Sequence, residues 1–331
     1  MATSTVTASR LGKLQSYKES SWGGSGAATS KWMGVSPYPE FKPYRKSTIF
    51  DEARGTLQPG YLSAILQKGG EWKIPGMLTY EDAVYLGHSF FGIVTASGSA
   101  SPFTFTYASS GSAQPNLQTY TFEYNQVGGY VLAAGCIANK LSIKGSMPGA
   151  LTYELSGFAQ DIDTAAAGSP AVLADRTVEV AIFPSMAVYM DPSGSAIGST
   201  AYGGCLTDFS LDMENSASPV YTAGSLVPGA FIVGDRFKAS LTLSLLYTSA
   251  VKTFVTGTLM AGTQALIRLR ATSGSKVFNI DYAGVLSDDP ALFGDKDGAQ
   301  LIQIKLDSIY NTGGSLAVAM AVTTTAGSTV T

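Results

Sequence analysis

The chain has 331 residues, of which 45% are hydrophobic and 14% are charged, and it carries a formal net charge of −3 with a pI near 5.2. This acidic balance argues against a nucleic-acid-binding face, and the length allows one large β domain or two smaller ones. The charged fraction is far below the roughly 25% of ordinary soluble domains. It fits either a surface that is covered in an assembly or a β protein rich in small residues.

The N-terminal segment differs in charge from the rest of the chain. Residues 1–46 hold seven bases and two acids, a net of +5, so the remainder carries −8. Such a basic arm either docks on the acidic body of a neighbouring copy or is a disordered, solubilising terminus, and the sequence leaves both open. The segment lacks sustained periodicity but holds more aromatic residues than disordered segments do. Its candidate inter-subunit contacts are Trp22, Trp32, Phe41, Tyr44 and Arg45.

Targeting and cysteine patterns point to a soluble protein that folds in a reducing cytosol. The first ten residues contain no apolar core, so we expect no signal peptide, and apolar runs such as 316–322 are far shorter than the ~18 residues of a membrane span. Cys136 and Cys205 are too few for a disulfide scaffold of this length. Their apolar, strand-like contexts predict two buried hydrophobes.

Short helices and alternating strands are predicted in the first half. An apolar stripe that ends at Gly69-Gly70 predicts a helix over Tyr61–Lys68, and the pair Thr79 and Asp82 predicts the capped start of a second helix. Period-two alternation then predicts strands at Phe90–Thr95, Phe103–Tyr107, Tyr120–Tyr124, Leu141–Ile143 and Leu151–Leu155, with turns at Gly128-Gly129 and Pro148-Gly149.

The second half repeats this mixture. Residues 161–175 are small and flexible, which predicts a linker, and strand alternation restarts over Val178–Ile182. A helix is predicted near Val251–Leu259. Further strands are predicted at Ser240–Leu245, Ala265–Ala271, Phe278–Tyr282, Leu301–Ile309 and Leu316–Val322.

An internal echo suggests a duplicated chain. Gly204–Leu211 repeats the order of Gly135–Ile143, with a Gly-Cys pair leading into an alternating strand, although chance similarity between two β segments stays open. We therefore predict a mainly β chain of tandem antiparallel β-barrel or sandwich domains, each flanked by a short α-helix. The predicted divisions are an arm at 1–46, a first domain at 47–165 and a second at 166–331.

Catalytic and metal-binding patterns are missing from the sequence. His88 is the single histidine and lies at a predicted helix end, where an imidazole interacts favourably with the helix dipole. We favour this structural role over one in a Ser-His-Asp or Cys-His catalytic site. The histidine and cysteine counts exclude the usual zinc sites. We expect no enzymatic activity, no cofactor and no metal, and a carboxylate pair in a β groove is the remaining enzymatic alternative.

Two charged groups need separate interpretation. Arg268 and Arg270 flank Leu269 on one strand, and we expect them to pair with acids on an adjacent strand or subunit. Both are therefore further candidate inter-subunit contacts. The EF-hand pattern is not met near Gly298, so an acidic surface loop is favoured over a calcium site. Its residues are Asp288, Asp289, Asp295 and Asp297.

The run from Tyr120 to Phe158 resembles the tail tube, or major tail, proteins of long-tailed bacteriophages. The matching pieces are Tyr120–Tyr124, Gly135–Ile143 and Gly149–Gly157, and the similar element order extends over most of residues 47–310. The family implies small β-barrels or sandwiches whose subunits join edge to edge into rings, and rings that stack into a tube for the viral genome. A chain about twice the size of one barrel implies two barrels and a trimeric ring with pseudo-sixfold symmetry, or a hexamer if the duplication is false.

The resemblance also implies partners and a location. The chain would meet other copies of itself and tail proteins such as the tape measure and the terminator, without a membrane, in a virion tail assembled in the host cytoplasm. DNA would pass through an acidic or neutral lumen without specific binding. The basic arm would bind the adjacent ring.

One alternative belongs to a different functional class. The alternative is a receptor- or carbohydrate-binding β-sandwich of a tail tip or adhesin, with the aromatic turns near Tyr38, Phe41 and Tyr44 as ligand platforms. Self-assembly into regular tubes separates the two hypotheses.

Overall fold

The computed structural model describes residues 12–24, 26–50, 62–98, 100–109, 115–126, 129–164, 172–234, 236–296 and 298–325. Within these ranges the chain forms nineteen strands and two α-helices, which confirms the predicted mainly β fold class. No helix in them is long and apolar enough to cross a membrane.

The elements follow one another along the chain in two series. The first half contains β1 (Lys13–Lys18), β2 (Ser30–Lys31), β3 (Glu40–Phe50), β4 (Leu62–Met77), α1 (Ala83–Phe90), β5 (Phe103–Ala108), β6 (Tyr120–Gln126), β7 (Gly129–Ser146), β8 (Thr152–Ala159) and β9 (Asp161–Asp163). The second half contains β10 (Met186–Pro192), β11 (Leu206–Glu214), β12 (Ala217–Val220), β13 (Ala230–Val233), β14 (Lys238–Leu246), α2 (Ser249–Phe254), β15 (Ala265–Ser273), β16 (Lys276–Leu286), β17 (Ala291–Lys296), β18 (Ala299–Ser308) and β19 (Val318–Thr324).

Eight antiparallel strands form the central sheet, in the order β3-β4-β8-β7-β11-β14-β18-β17. Each half of the chain supplies four strands on the same plan. A first pair of strands (β3–β4 or β11–β14) is followed by a helix, and a later pair (β7–β8 or β17–β18) places its last strand beside the second strand of the first pair. The halves join edge to edge where β7 pairs with β11.

Alternation along these strands gives the central sheet one buried face. Leu141 and Ile143 of β7 are fully buried, whereas Lys140 and Lys144 beside them are exposed. Because successive side chains of a strand point to opposite faces, neighbouring strands in register extend both faces across the sheet. The apolar face packs on the core and the opposite face is polar.

The remaining strands and helices pack against the buried face. β1 pairs with β2 and β6, and β6 continues onto the first part of β7. In the second half β15 pairs with β10 and β16, while β19 pairs with β16 and with β5 of the first half. One contiguous apolar core runs through both halves. Pairing and core therefore cross residue 165, and the two-domain division stays a prediction.

Both helices have threonine at their N-termini. Thr79 Oγ1 accepts a hydrogen bond from Asp82 N at 2.9 Å, and α1 begins at Ala83, with all eight of its residues buried. Thr248 Oγ1 accepts from Val251 N at 3.3 Å and caps α2. A π-helical turn extends that helix to residue 259, so the prediction of a helix near Val251–Leu259 is confirmed.

Two element predictions in the first half are wrong. The predicted helix at Tyr61–Lys68 is strand wherever the structure describes it, because Leu62–Lys68 pairs with β3. A short apolar run fits either period, and the pairing decides between them. The predicted strand at Phe90–Thr95 is instead the end of α1 followed by irregular chain, since Phe90 and Phe91 are buried and pack against Phe237.

The expectations for the two irregular segments need correction as well. The arm contains strands: β1 is paired with β6 over its whole length, and β3 is paired with β4. In the predicted linker, Asp161–Asp163 forms β9 on β7, and residues 165–171 lie outside the described ranges. Over Val178–Ile182 the chain makes isolated bridges to Thr79 and Ala150 in place of a strand.

The internal echo has a structural counterpart, but it does not mark equivalent strands. Gly135 and Gly204 both have positive φ, +63° and +68°, a conformation that favours glycine. The cysteine that follows each one is buried. By order and pairing, however, β11 corresponds to β3 and β17 corresponds to β7. The structural repeat thus covers four strands in each half, more than the short Gly-Cys segments. It pairs β11 with β3 as equivalent strands, whereas the sequence similarity pairs β11 with β7.

Candidate assembly surfaces

The central sheet ends in two open edges. Among the described residues β3 pairs with β4 alone, and β17 pairs with β18 alone. An open edge presents unpaired backbone donors and acceptors that can accept a strand from another chain. The two edges lie at opposite ends of the same eight-stranded sheet, so one molecule carries one edge of each kind.

The distal part of the β3–β4 hairpin, Ser47–Phe50 with Leu62–Leu66, is an exposed apolar surface. Its large side chains are exposed by between 38% and 69%, for Ile49, Phe50, Leu62, Ile65 and Leu66. The two strands pair with each other here, with Phe50 opposite Leu62. Clustered exposed apolar residues are typical of protein contact sites.

A second hairpin is hydrogen-bonded to the β3–β4 hairpin. It consists of β12 and β13, and in the loop between them Leu226 O accepts a hydrogen bond from Lys68 N at 2.7 Å. Tyr221 OH donates to Lys68 O at 3.2 Å and is hydrogen-bonded to Tyr44 OH. Tyr44, a predicted inter-subunit residue, therefore has a partner within its own chain, and Arg45 beside it is exposed.

The polar face of the central sheet is rich in charge. Its described acids are Glu40, Glu71, Glu154, Asp208, Asp212, Glu214 and Asp307, and its lysines are Lys42, Lys46, Lys73, Lys140, Lys144, Lys238 and Lys305. A groove of about 640 Å³ crosses its centre and is also lined by Arg236. Neighbouring charges interact: Lys73 Nζ lies 2.8 Å from Glu154 Oε2, and this hydrogen bond raises the pKa of Lys73.

Three predicted contact residues of the arm pack on their own chain. Trp22 Nε1 donates to Gly135 O at 2.9 Å, and its ring meets Phe231 edge-on. Trp32 is 3% exposed and stacks on Tyr85 in the core. Phe41 packs against two aromatic rings of β6, those of Phe122 and Tyr124. Contact of these three with another subunit stays a prediction.

The predicted pairing of Arg268 with an acid of an adjacent strand is confirmed. Its guanidinium donates to both carboxylate oxygens of Asp281 on β16, at 2.6 and 2.7 Å, and this bond raises the pKa of Arg268. Arg270 lies two residues on, opposite Asn279. Both arginines lie in the sheet of the second half, and contact of either one with another subunit stays a prediction.

The four predicted loop acids are not all described as parts of one loop. Asp288 and Asp289 are exposed, and Asp288 lies 3.8 Å from Lys305. Asp295 is in strand β17, and Asp297 is outside the described residues. Within the described ranges no group of three His, Cys, Asp or Glu side chains is placed to hold a metal ion.

His88 is a core residue at the C-terminal end of α1. Its imidazole Nε2 is hydrogen-bonded to Val94 O at 3.2 Å, and Phe105 and Tyr107 meet it edge-on. Burial lowers the pKa of His88. The imidazole is therefore neutral at pH 7, so packing rather than a charge–dipole interaction holds it there.

Sequence reasoning did not identify the exposed distal hairpin or the polar face of the central sheet. The second strand of the distal hairpin lies in the segment predicted as a helix, Tyr61–Lys68. The polar face depends on register between strands that are far apart in the chain. The alternation Lys140, Ser142, Lys144 was visible in the sequence, but it does not say which strands lie beside it.

The chain matches the sequence model of a known protein family. The sequence model of the family described as phage tail tube protein matches residues 9–329, nearly the whole chain. No curated protein matches the chain.

Proposed function

The chain belongs to the phage tail tube protein family, and we propose that it is the repeating subunit of the tube itself. Copies join edge to edge into rings, the rings stack, and the viral genome passes through the tube into the host cell. The observation that carries this proposal is the edge-to-edge joining of two like halves within one sheet, with an open edge at each end.

The pairing of β7 with β11 inside the chain has a geometry that strands of two different chains can repeat. β7, the last strand of the first four-stranded unit, pairs antiparallel with β11, the first strand of the second. By position β17 corresponds to β7 and β3 corresponds to β11. Repeating the same joint therefore places β17 of one copy antiparallel to β3 of the next, and head-to-tail contacts of this kind close into rings.

The strand count favours three chains per ring. Three copies of the eight-stranded sheet give 24 strands, and with ~4.8 Å between strands and a tilt near 40° the wall has a circumference of about 150 Å. That corresponds to a backbone diameter of roughly 50 Å, which leaves room for one DNA duplex after side chains are added. Six chains would double the bore. Three chains carry six like units, which gives pseudo-sixfold symmetry.

The orientation of the wall follows from the two faces of the sheet. The apolar face is occupied by the core of the chain, so the polar face is the one that lines the channel, and α1 and α2 lie outside it. The exposed distal part of the β3–β4 hairpin is our candidate for contact between rings, with residues 1–11 of the basic arm as a further contact. Tape measure and terminator proteins are the expected tail partners within the virion.

The test is electron microscopy of the purified protein in negative stain, with light scattering of the soluble fraction. We expect rings or uniform tubes, with threefold or pseudo-sixfold rotational averages. Six equivalent large subunits would replace the trimer by the hexamer. A protein that stays monomeric at high concentration would contradict the proposal and favour the receptor-binding alternative.

A further inference from the structure

Strand register sorts the charges of the polar face into rows that cross the strands. Ser142 of β7 lies opposite Glu154 on one side and Asp212 on the other. Ser240 of β14 lies opposite Asp212 and Asp307. The acidic row therefore reads Glu154-Ser142-Asp212-Ser240-Asp307 across five strands and both halves of the chain.

Rows of the opposite sign flank the acidic row. On one side, the neighbouring row is displaced from the acidic row by two residues along each strand. It consists of Thr152, Lys144, Ser210, Thr242 and Lys305. On the other side, the row displaced by two residues consists of Glu40, Lys73, Ser156, Lys140, Glu214 and Lys238. The first flanking row carries two positive charges and the second carries a net of one, against three negative charges between them.

The spacing of the rows makes their fields cancel. Two residues of a strand span about 6.7 Å, which is shorter than the Debye length of ~8 Å at physiological salt. Fields of alternating sign at such a short repeat fade within a few ångströms of the surface. The described face, with Lys46 and Arg236 included, holds eight bases and seven acids, so a net charge of only +1 remains to act at longer range.

We propose that the polar face is a surface of nearly balanced charge past which duplex DNA slides without binding, and that the acidic row stops the flanking lysines from holding phosphates. This inference rests on the proposed function, since it takes the polar face as the channel wall. It narrows the expected charge of the lumen from acidic or neutral to nearly neutral, because the excess acid of residues 47–331 lies away from this face.

The test removes the acidic row and measures DNA binding. In E154Q/D212N/D307N three of the seven acids become neutral. We expect the variant to fold, because Glu154 is half-exposed and the other two acids are exposed. The matched control D161N/D163N/D289N removes three exposed acids outside the face. Unassembled subunits and assembled tubes are each mixed with a short fluorescent DNA duplex, and anisotropy is read over a salt series.

We expect the acidic-row variant to bind the duplex at low salt, with affinity falling at least about tenfold between 50 and 200 mM salt as bound counterions are released. Wild type and control should show no binding under the same conditions. Adding K140Q/K144Q to the acidic-row variant should abolish the binding again.

Two outcomes would overturn the inference. One is an acidic-row variant that forms normal tubes yet shows no DNA binding, and the other is equal binding by the matched control. If the triple variant fails to fold, E154Q/D307N provides the same comparison with two charges. A wild type that forms neither rings nor tubes contradicts the proposed function separately, because binding to unassembled subunits is measured independently of tube formation.

Discussion

Ile143 of β7 lies directly opposite Leu211 of β11, and both side chains are fully buried. This pair stands at the joint between the two halves of the central sheet. Backbone pairing alone would allow the halves to slip, but a slip of one residue would turn a buried row toward water. The apolar contact therefore sets the register of the joint that we extend to the contact between chains.

The joint can be tested by truncating one of its core side chains. Leu211→Ala should lower the free energy of unfolding of the subunit by about 2–5 kcal/mol, because it leaves a cavity in a packed core. Ser210→Ala, on the polar face of the same strand, is the matched control and should change it by about 0.5 kcal/mol or less. Chemical denaturation measures both, and equal effects would contradict the packing described for this joint.

The distal hairpin should matter for assembly but not for folding. The double substitution F50S/L62S removes two exposed apolar side chains that lie opposite each other. We expect a nearly unchanged free energy of unfolding but far fewer or shorter tubes, because the lost apolar area belongs to the contact that we propose between rings. Light scattering and electron microscopy give the readout.

A matched control for the hairpin uses apolar residues exposed elsewhere. M260S/I309S changes two side chains of similar exposure, 52% and 46%, outside the hairpin. It should assemble like the wild type. Tubes of normal length from F50S/L62S would exclude the hairpin as a ring contact.

Arg176 neutralises a buried carboxylate and links the two halves. Its guanidinium donates to Asp82 Oδ1 at 2.6 Å, while Gly34 N and Met33 N donate to Asp82 Oδ2 at 2.7 and 3.0 Å. Arg176→Met should cost about 3–5 kcal/mol of stability at neutral pH, because Asp82 keeps a buried charge without its ion-pair partner. Thermal or chemical unfolding measures the loss.

The cost of Arg176→Met should shrink in acid. Burial raises the pKa of Asp82 despite the arginine, and removing the arginine raises it further. A carboxyl whose pKa is higher in the folded state stabilises the fold when protonated, so this stability is lost as the pH rises through that pKa. The deficit should therefore be smaller at pH 4.5 than at pH 7, and Asp82→Asn added to Arg176→Met should recover part of it. A deficit independent of pH would contradict this account.

His88 should make the protein less stable in mild acid. Burial lowers the pKa of its imidazole in the folded state, so the unfolded chain binds the proton first as the pH falls below about 6.5. Because the chain has a single histidine, His88→Gln should flatten the fall in stability between pH 6.5 and pH 5. Unfolding curves at several pH values measure the slope, and an unchanged slope would assign it to other groups.

Much of the strand content was predictable because alternation is a local property. The strands at Phe103–Ala108, Tyr120–Gln126 and Thr152–Ala159 lie where period-two patterns placed them. β1 and β3 were missed, since their pairing with β6 and β4 overrides weak local patterns. The hairpin strand at Leu62–Lys68 was misassigned because a short apolar run fits two periods.

The sequence by itself determined a mainly β chain, its family resemblance, its buried cysteines and the pairing of Arg268 with an acid. Those features depend on residue types and on spacings of a few positions. Only the tertiary structure decided that β7 joins β11, that Trp32 belongs to the core, and that Glu154, Asp212 and Asp307 form one row. These features depend on contacts and register between segments that are distant in the chain, as where Ser142 lies opposite Asp212. Local pattern does not specify the register between distant segments.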